Sequence, residues 1–164
     1  MARSGHLGRE FSTHLFFYIC FINGFEIAIE VRFKFTVKII LMMTTEEVAQ
    51  KWKEYCLTGQ MDQVQEELYA IECVSLEMEG VEGFTQRAEG MEAIKAKGKI
   101  WEEMVEEFHG LEIEGPIVAG DHFSAILKMD ITMKEQPRRV DEEVAVYRVA
   151  NGKIVSEQFF YDLG

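Results

Sequence analysis

The feature that most constrains the fold of this chain is the run Ile117–Lys134, IVAGDHFSAILKMDITMK. From His122 onward apolar and polar residues alternate. Phe123, Ala125, Leu127, Met129, Ile131 and Met133 fall on one side. His122, Ser124, Lys128, Asp130, Thr132 and Lys134 fall on the other, joined there by Ile126. A period of two over such a length predicts a β-strand with one buried face. Asp121, at the head of the run, has the parity of the apolar face. A carboxylate there must be paired, change its proton affinity or face a cavity.

The same reading along the chain gives the order α-α-β-α-β-β-β-β from Thr44 to the end. Thr44 or Thr45 caps a helix with Glu46 and Glu47 in its first turn. Val48, Trp52, Tyr55 and Cys56 follow at helical spacing, and Thr58-Gly59 ends it. Met61–Ala70 is a second helix and Cys73–Met78 a strand, with Glu79–Glu89 a loop. Gly90 opens a third helix that turns Met91, Ile94 and Lys95 inward, and its stripe runs on through Trp101 and Met104 to Phe108. A short strand at Leu111–Glu114 precedes the long one. Val140–Ala150 and Lys153–Asp162 form a hairpin about Asn151-Gly152, a turn of the primed kind. Helices followed by long antiparallel strands make an α+β fold.

The first 42 residues differ in character. They carry five Lys/Arg and three Asp/Glu, whereas residues 43–164 carry 12 Lys/Arg against 26 Asp/Glu. Leu15–Ile22 is too short to span a bilayer as a helix. Phe25–Ile39 alternates strictly and reads as an amphipathic strand needing a partner. Residues 1–42 are either such an appendage or an upstream extension, with Met42 or Met43 as the native start. Residues 43–164 form the main domain. Its acidity disfavours nucleic acid and anionic membranes as partners.

Cys20, Cys56 and Cys73 form no CxxC pair and no disulfide framework, as expected of reduced thiols in a cytoplasmic protein. Neither a metal motif nor a nucleotide- or cofactor-binding motif is present, so no cofactor is expected. Glu102, Glu103, Glu106 and Glu107 lack a histidine partner at ligand spacing and read as a solvated helix face.

The candidate site starts from Asp121, a pocket carboxylate able to exchange protons. His109 shares parity with Leu111 and Ile113 and, with strand stagger, would pair with Asp121 as a proton-transfer couple. His122 points to the opposite face. Tyr147 offers a phenol to a ligand oxygen. Glu143 and Tyr147 share one face of their strand, and Glu157 and Tyr161 one face of theirs. Trp52, Tyr69, Trp101, Phe108 and Phe123 complete the pocket lining, with Glu77 on the first strand.

Three segments carry a family resemblance: MTTEEVAQKWKEYCLTGQMDQVQEELYA, EGMEAIKAKGKIWEEM and VAVYRVANGKIVSEQFFYD. Together they resemble the nuclear transport factor 2-like superfamily, and within it the polyketide-cyclase-like (SnoaL-like) domains, over residues 43–164. The resemblance implies a strongly bent antiparallel or mixed sheet wrapped around three helices as a cone with an apolar pocket. It also implies dimerisation through the outer sheet face. In the family's ketosteroid-isomerase-like branch a first-strand carboxylate is the base, and Glu77 lies near that position. The branch's tyrosine donor falls at Trp52 and its protonated aspartate near Val144 or Ala145, so two of the three roles lack their residue. The expected function is a small apolar-ligand pocket, working as a cofactor-free lyase, isomerase or cyclase. The alternative is a non-catalytic ligand-binding or dimeric interaction domain.

Overall fold

The computed structural model describes residues 42–79 and 85–162 in full, with the backbone of two further strands, β1 (Phe16–Ile22) and β2 (Phe25–Val31). The chain divides into two units, Met1–Ile40 and Leu41–Gly164. In the first, β1 and β2 pair antiparallel from Phe16 opposite Val31 to Ile22 opposite Phe25. The expected strand over Phe25–Ile39 is met by β2 as far as Val31; its remainder lies outside the described residues.

The second unit begins at a capping box. The Thr44 hydroxyl accepts from the Glu47 N–H, and the Glu47 carboxylate accepts from the Thr44 N–H at 2.8 Å. These bonds satisfy two of the donors that a helix start leaves open. Helix α1 (Thr45–Leu57) then buries Val48, Ala49, Trp52 and Cys56, one stripe at helical spacing. A single turn, α2 (Met61–Gln63), continues into a π-helical turn at Val64–Leu68. Strand β3 (Tyr69–Leu76), the three-residue β4 (Arg87–Glu89) and helix α3 (Met91–Met104) follow. The remaining chain is β5 (Val105–Ala119), β6 (His122–Met133), β7 (Arg139–Ala150) and β8 (Lys153–Tyr161).

The expected cone is corrected here. The sheet is mixed, open and not strongly curled, with strand order β4-β3-β8-β7-β6-β5. Its outer strands β4 and β5 do not pair with each other. Among the described residues the helical content is α1, the one-turn α2 with its π turn, and α3, which lies in sequence between β4 and β5. Alternation reports which face a residue occupies; it carries no information on how far a sheet bends.

Five element boundaries also differ from expectation. The helix expected over Met61–Ala70 stops at Leu68, where β3 begins at Tyr69, and the short strand expected at Leu111–Glu114 is part of the 15-residue β5. The run Ile117–Lys134 is two strands. Gly120-Asp121 turns the chain, so that Ala119 sits opposite His122. Gly120 takes φ 62°, a left-handed conformation that glycine adopts without a side-chain clash. Asp121 therefore has no place on the apolar strand face. The apolar stripe through Phe108 is split, because α3 ends at Met104 and Val105 opens β5. Within the expected loop, Arg87–Glu89 pairs with Val74–Leu76.

The Asn151-Gly152 turn is as expected, with φ 53° and 72°. A Cβ on Gly152 would lie 2.9 Å from the Met43 backbone nitrogen, so the turn also packs on the entry to α1. The turn pairs Ala150 with Lys153 and Val149 with Ile154. Beyond it a bulge at Val155 shifts the β7–β8 register by one residue, placing Tyr147 opposite Glu157, Ala145 opposite Phe159 and Glu143 opposite Tyr161. The core lies between this sheet face and α1. Phe123 and Tyr147 stack at 4.6 Å, with Trp52 tilted against both at 5.5 and 4.8 Å. Truncating Phe123, which is 1 % exposed, removes the centre of that stack. Phe123→Ala is expected to destabilise the fold by about 3–5 kcal/mol in urea unfolding.

Candidate functional site

On the helix-covered face, β3, β7 and β8 bring a set of polar side chains together. Cys73 and Ser75 share the inward parity of β3, which Glu77 continues just past its end; Glu157, Phe159 and Tyr161 share that of β8; Glu143, Ala145 and Tyr147 share that of β7. Ser75 sits opposite Glu157 across the parallel β3–β8 pair. The 0 % exposure of Ser75 and 5 % exposure of Glu157 make both polar groups part of the interior.

Each buried group has partners. Tyr69 donates its phenolic hydrogen to Glu157 Oε2, and Ser75 makes a second side-chain hydrogen bond to the same carboxyl. Lys97 reaches from α3 to donate to Ser75 Oγ at 2.5 Å and Glu77 Oε1 at 2.6 Å. Tyr161 donates to Glu77 Oε2 at 2.8 Å. The Lys97 ammonium also lies 4.8 Å from the centre of the Phe159 ring. Such a network satisfies groups that would otherwise carry a large desolvation cost.

Glu143 stands apart. Among the described residues none donates a hydrogen bond to its carboxyl. Burial, then the neighbouring charges of Glu77 and Glu157, push it up to about 7. Burial raises Glu157 as well, opposed by its bonds from Ser75 and Tyr69 and by the charge of Lys97. The Cys56 and Cys73 thiols are both pushed to about 12 by burial, which leaves them protonated at neutral pH. Among the described residues no group of His, Cys, Asp and Glu is arranged to hold a metal ion.

The expected proton-transfer couple is not assembled. Asp121 lies in the β5–β6 turn, its half-exposed carboxylate bonded to Arg148 Nε at 3.1 Å and near His122 Nδ1 at 2.7 Å. The Arg148 bond holds it below the usual carboxylate range. His109 lies toward the far end of the same hairpin, its Nε2 2.8 Å from Thr132 Oγ1. At the strand rise of about 3.3 Å per residue, the two are roughly 30 Å apart. His122 and Asp121, read as pointing oppositely, meet because the turn breaks the alternation. Tyr147 is buried within the Trp52–Phe123 stack, and burial takes its phenol well above its ordinary range.

Of the expected lining, Trp52, Tyr69, Glu77, Phe123, Glu143, Glu157 and Tyr161 all belong to the covered face or its core. Phe108 does not: it is 50 % exposed on β5, with Trp101 edge-on to it at 6.4 Å. Two participants escaped the sequence reading. Lys97 sits three residues beyond Ile94, in line with Met91 and Ile94, while Lys95 is exposed. A cation continuing an apolar stripe was the available signal. Ser75 shares parity with Cys73 and Glu77, yet a small hydroxyl on a strand gives no sign of burial. A separate open groove of about 470 Å³ runs past Leu76, Met78, Gln86, Arg87, Gln158 and Phe160, and meets the cluster only at Glu77.

The fold agrees with the comparisons. The SnoaL-like domain model matches residues 43–161. The chain belongs to that family, within the nuclear transport factor 2-like superfamily. A SnoaL-like, polyketide-cyclase-type protein of Mesorhizobium loti is 37% identical over 73% of this chain and 100% of its own, with a TM-score of 0.66. A nuclear transport factor 2-like protein of unknown function from Burkholderia pseudomallei is 17% identical, covering 74% and 92%, at 0.64. A protein of ketosteroid-isomerase-like fold from Catenulispora acidiphila, solved with trimethylamine, is 21% identical, covering 73% and 88%, at 0.57. No curated protein matches the chain.

The position of Glu143 gives stability a defined pH dependence. Below its ordinary value of 4.5 the carboxyl is protonated in folded and unfolded chains alike. Between there and about 7 the folded chain keeps a proton that the unfolded chain has released. Stability therefore falls as pH rises through that window, by about 3 kcal/mol at most for this group. Glu143→Gln should flatten the slope and be more stable than the parent at pH 8, as read from urea midpoints against pH.

Proposed function

We propose that this chain binds a small, mainly apolar molecule on the helix-covered face of its sheet. There it exchanges a proton with the ligand, as a cofactor-free lyase, isomerase or cyclase does. The observation that carries this reading is the Glu143 carboxyl. It is half-buried, and its withdrawal from water and the nearby Glu77 and Glu157 charges raise it to about 7. No described residue donates a hydrogen bond to it, and it adjoins the network of Glu77, Glu157 and Lys97. A base works best when its proton affinity lies near the working pH. Tyr161 and Lys97 flank the same site and hold the Glu77 carboxylate from its two oxygens. Glu143 takes the role that the sequence pattern assigned to Asp121 and His109. A relative of the same fold solved with trimethylamine is consistent with a small organic ligand.

The test is solvent exchange. Wild-type protein in deuterium oxide, given a panel of small cyclic and aromatic ketones, is expected to catalyse deuterium incorporation next to the carbonyl. The rate should rise with pH through about 7, as Glu143 ionises. Glu143→Gln should lower it by about 10²-fold or more while keeping any ligand-induced rise in melting temperature. Equal exchange by the variant would remove Glu143 from the chemistry. One observation favours a second, non-catalytic reading: every fully buried polar side-chain atom among the described residues already has a hydrogen-bond partner. Under that reading ligands raise the melting temperature and no exchange occurs.

The active form in this proposal is a homodimer. Ile126, Val144 and Phe160 are exposed on the outer sheet face at successive cross-strand positions of the central strands. A continuous apolar row there supports burial against a second copy. Val144→Glu should convert a dimer to a monomer in sedimentation analysis, with the far-ultraviolet circular dichroism unchanged. The free, buried Cys56 and Cys73 support a cytoplasmic setting.

A further inference from the structure

The helix that carries Lys97 is weakly anchored by apolar contact. Ile94 is the buried residue of α3, with Met91 and Ala93 partly buried beside it. Its N-terminal residue Gly90 provides no side-chain cap. Lys97 is nonetheless largely withdrawn from solvent, its side chain 11 % exposed against 9 % for Glu77. A lysine on a mainly exposed helix ordinarily extends into water. This one turns inward, across the Phe159 ring, to a site whose other charged groups are acidic.

Those groups come from every element around Glu143. β3 supplies Glu77; β8 supplies Glu157 and Tyr161; β7 supplies Asp141 and Tyr147; α3 supplies Lys97. Among the described residues Lys97 is the cation of the set. It divides its hydrogen bonds between two branches: Glu77, held also by Tyr161, and Ser75, which bonds Glu157. Three carboxyls on adjoining strands with one cation cannot all ionise cheaply, because like charges at close range in a poorly solvated site favour retaining protons.

Resting on the proton-transfer reading above, we propose that Lys97 is the positioning residue of the site: its single charge, held over Ser75 and over the Glu77 carboxylate that Tyr161, the cross-strand partner of Glu143, also bonds, balances the acidic groups around the Glu143 carboxyl. Lys97 does this without touching the reacting atoms. Its charge offsets part of the Glu77 and Glu157 fields at Glu143. Without it, the three carboxyls face one another alone, Glu143 keeps its proton, and no base is present at neutral pH. Glu143 would then be an acid only.

The experiment is a carbon-13 NMR titration of the Glu143 side-chain carboxyl, assigned by loss of its resonance in Glu143→Gln. Lys97→Met is expected to raise the midpoint by about one pH unit or more, a tenfold gain in proton affinity. Lys97→Gln keeps an amide donor for Ser75 and Glu77 but no charge, and should behave like Lys97→Met. Lys97→Arg restores the charge and should return the midpoint toward the parent. Glu77→Gln removes one repelling carboxylate and should lower it. A midpoint unmoved in Lys97→Gln, with backbone amide spectra showing an intact fold, would overturn the proposal. If both neutral variants fail to fold, an unmoved midpoint in Glu77→Gln would overturn it instead, because the field Lys97 is said to offset would be absent. The comparison reads differences between variants, so it stands apart from the exchange assay. A parent midpoint in the ordinary carboxylate range would end the proton-transfer reading, and the Lys97 shift would still be present or absent.

Discussion

The register between β7 and β8 governs the arrangement of everything on the covered sheet face. It is set by a turn of two residues, Asn151 and Gly152, both at positive φ, and by a one-residue bulge at Val155 just beyond it. Because side chains alternate along a strand, a slip of one residue between the two strands would put Glu157 on the opposite face from Glu143 and Tyr147. With the observed register, Glu157 meets Ser75 on one side and Tyr147 on the other, and Glu143 meets Tyr161. The contact of Gly152 with the Met43 backbone joins the same turn to the start of α1, whose Trp52 packs on Tyr147. Turn and bulge together thus align the aromatic core and the polar cluster.

Burial then gives the cluster its chemical character. Glu157 is tolerated in the interior because Tyr69 and Ser75 bond its carboxyl, and Ser75 is itself bonded by Lys97. Glu77 is tolerated because Lys97 and Tyr161 occupy its two oxygens. Glu143 shares the same poorly solvated surroundings and the repulsion of both neighbours, without a donor. The outcome is a group of carboxyls in which bonding separates the structural members from the one with a free proton site. At the opposite extreme, Asp121 is exposed, bonded by Arg148 and held low.

Much of this was legible in the residues. The helix start at Thr44, the Asn151-Gly152 hairpin and the face shared by Glu143, Ala145 and Tyr147 all follow from local rules of capping, turn conformation and alternation. So did the membership of Trp52, Tyr69, Glu77, Phe123, Glu157 and Tyr161 in the covered face or its core. The misreadings arose where a local rule was extended through a break. Parity was carried from β6 back across Gly120 to Asp121, and helical spacing was carried from α3 through Val105 to Phe108. Ser75 and Lys97 escaped because each matters through a partner more than 70 residues or on the order of 20 residues away in sequence, which no periodicity reports.

The sequence by itself determined an α+β chain with alternating strands, one capped helix, a primed hairpin and a set of ionisable residues on buried parities. It did so because those features depend on φ/ψ preferences and on side-chain direction within a single element. Tertiary structure decided that the sheet stays open, with β4 and β5 unpaired to each other, since closure depends on pairings between distant strands. It also decided which carboxyl stands free. Glu77, Glu143 and Glu157 are alike as residues. They differ because Lys97, Ser75, Tyr69 and Tyr161 arrive from other elements to bond two of them and leave the third without a donor.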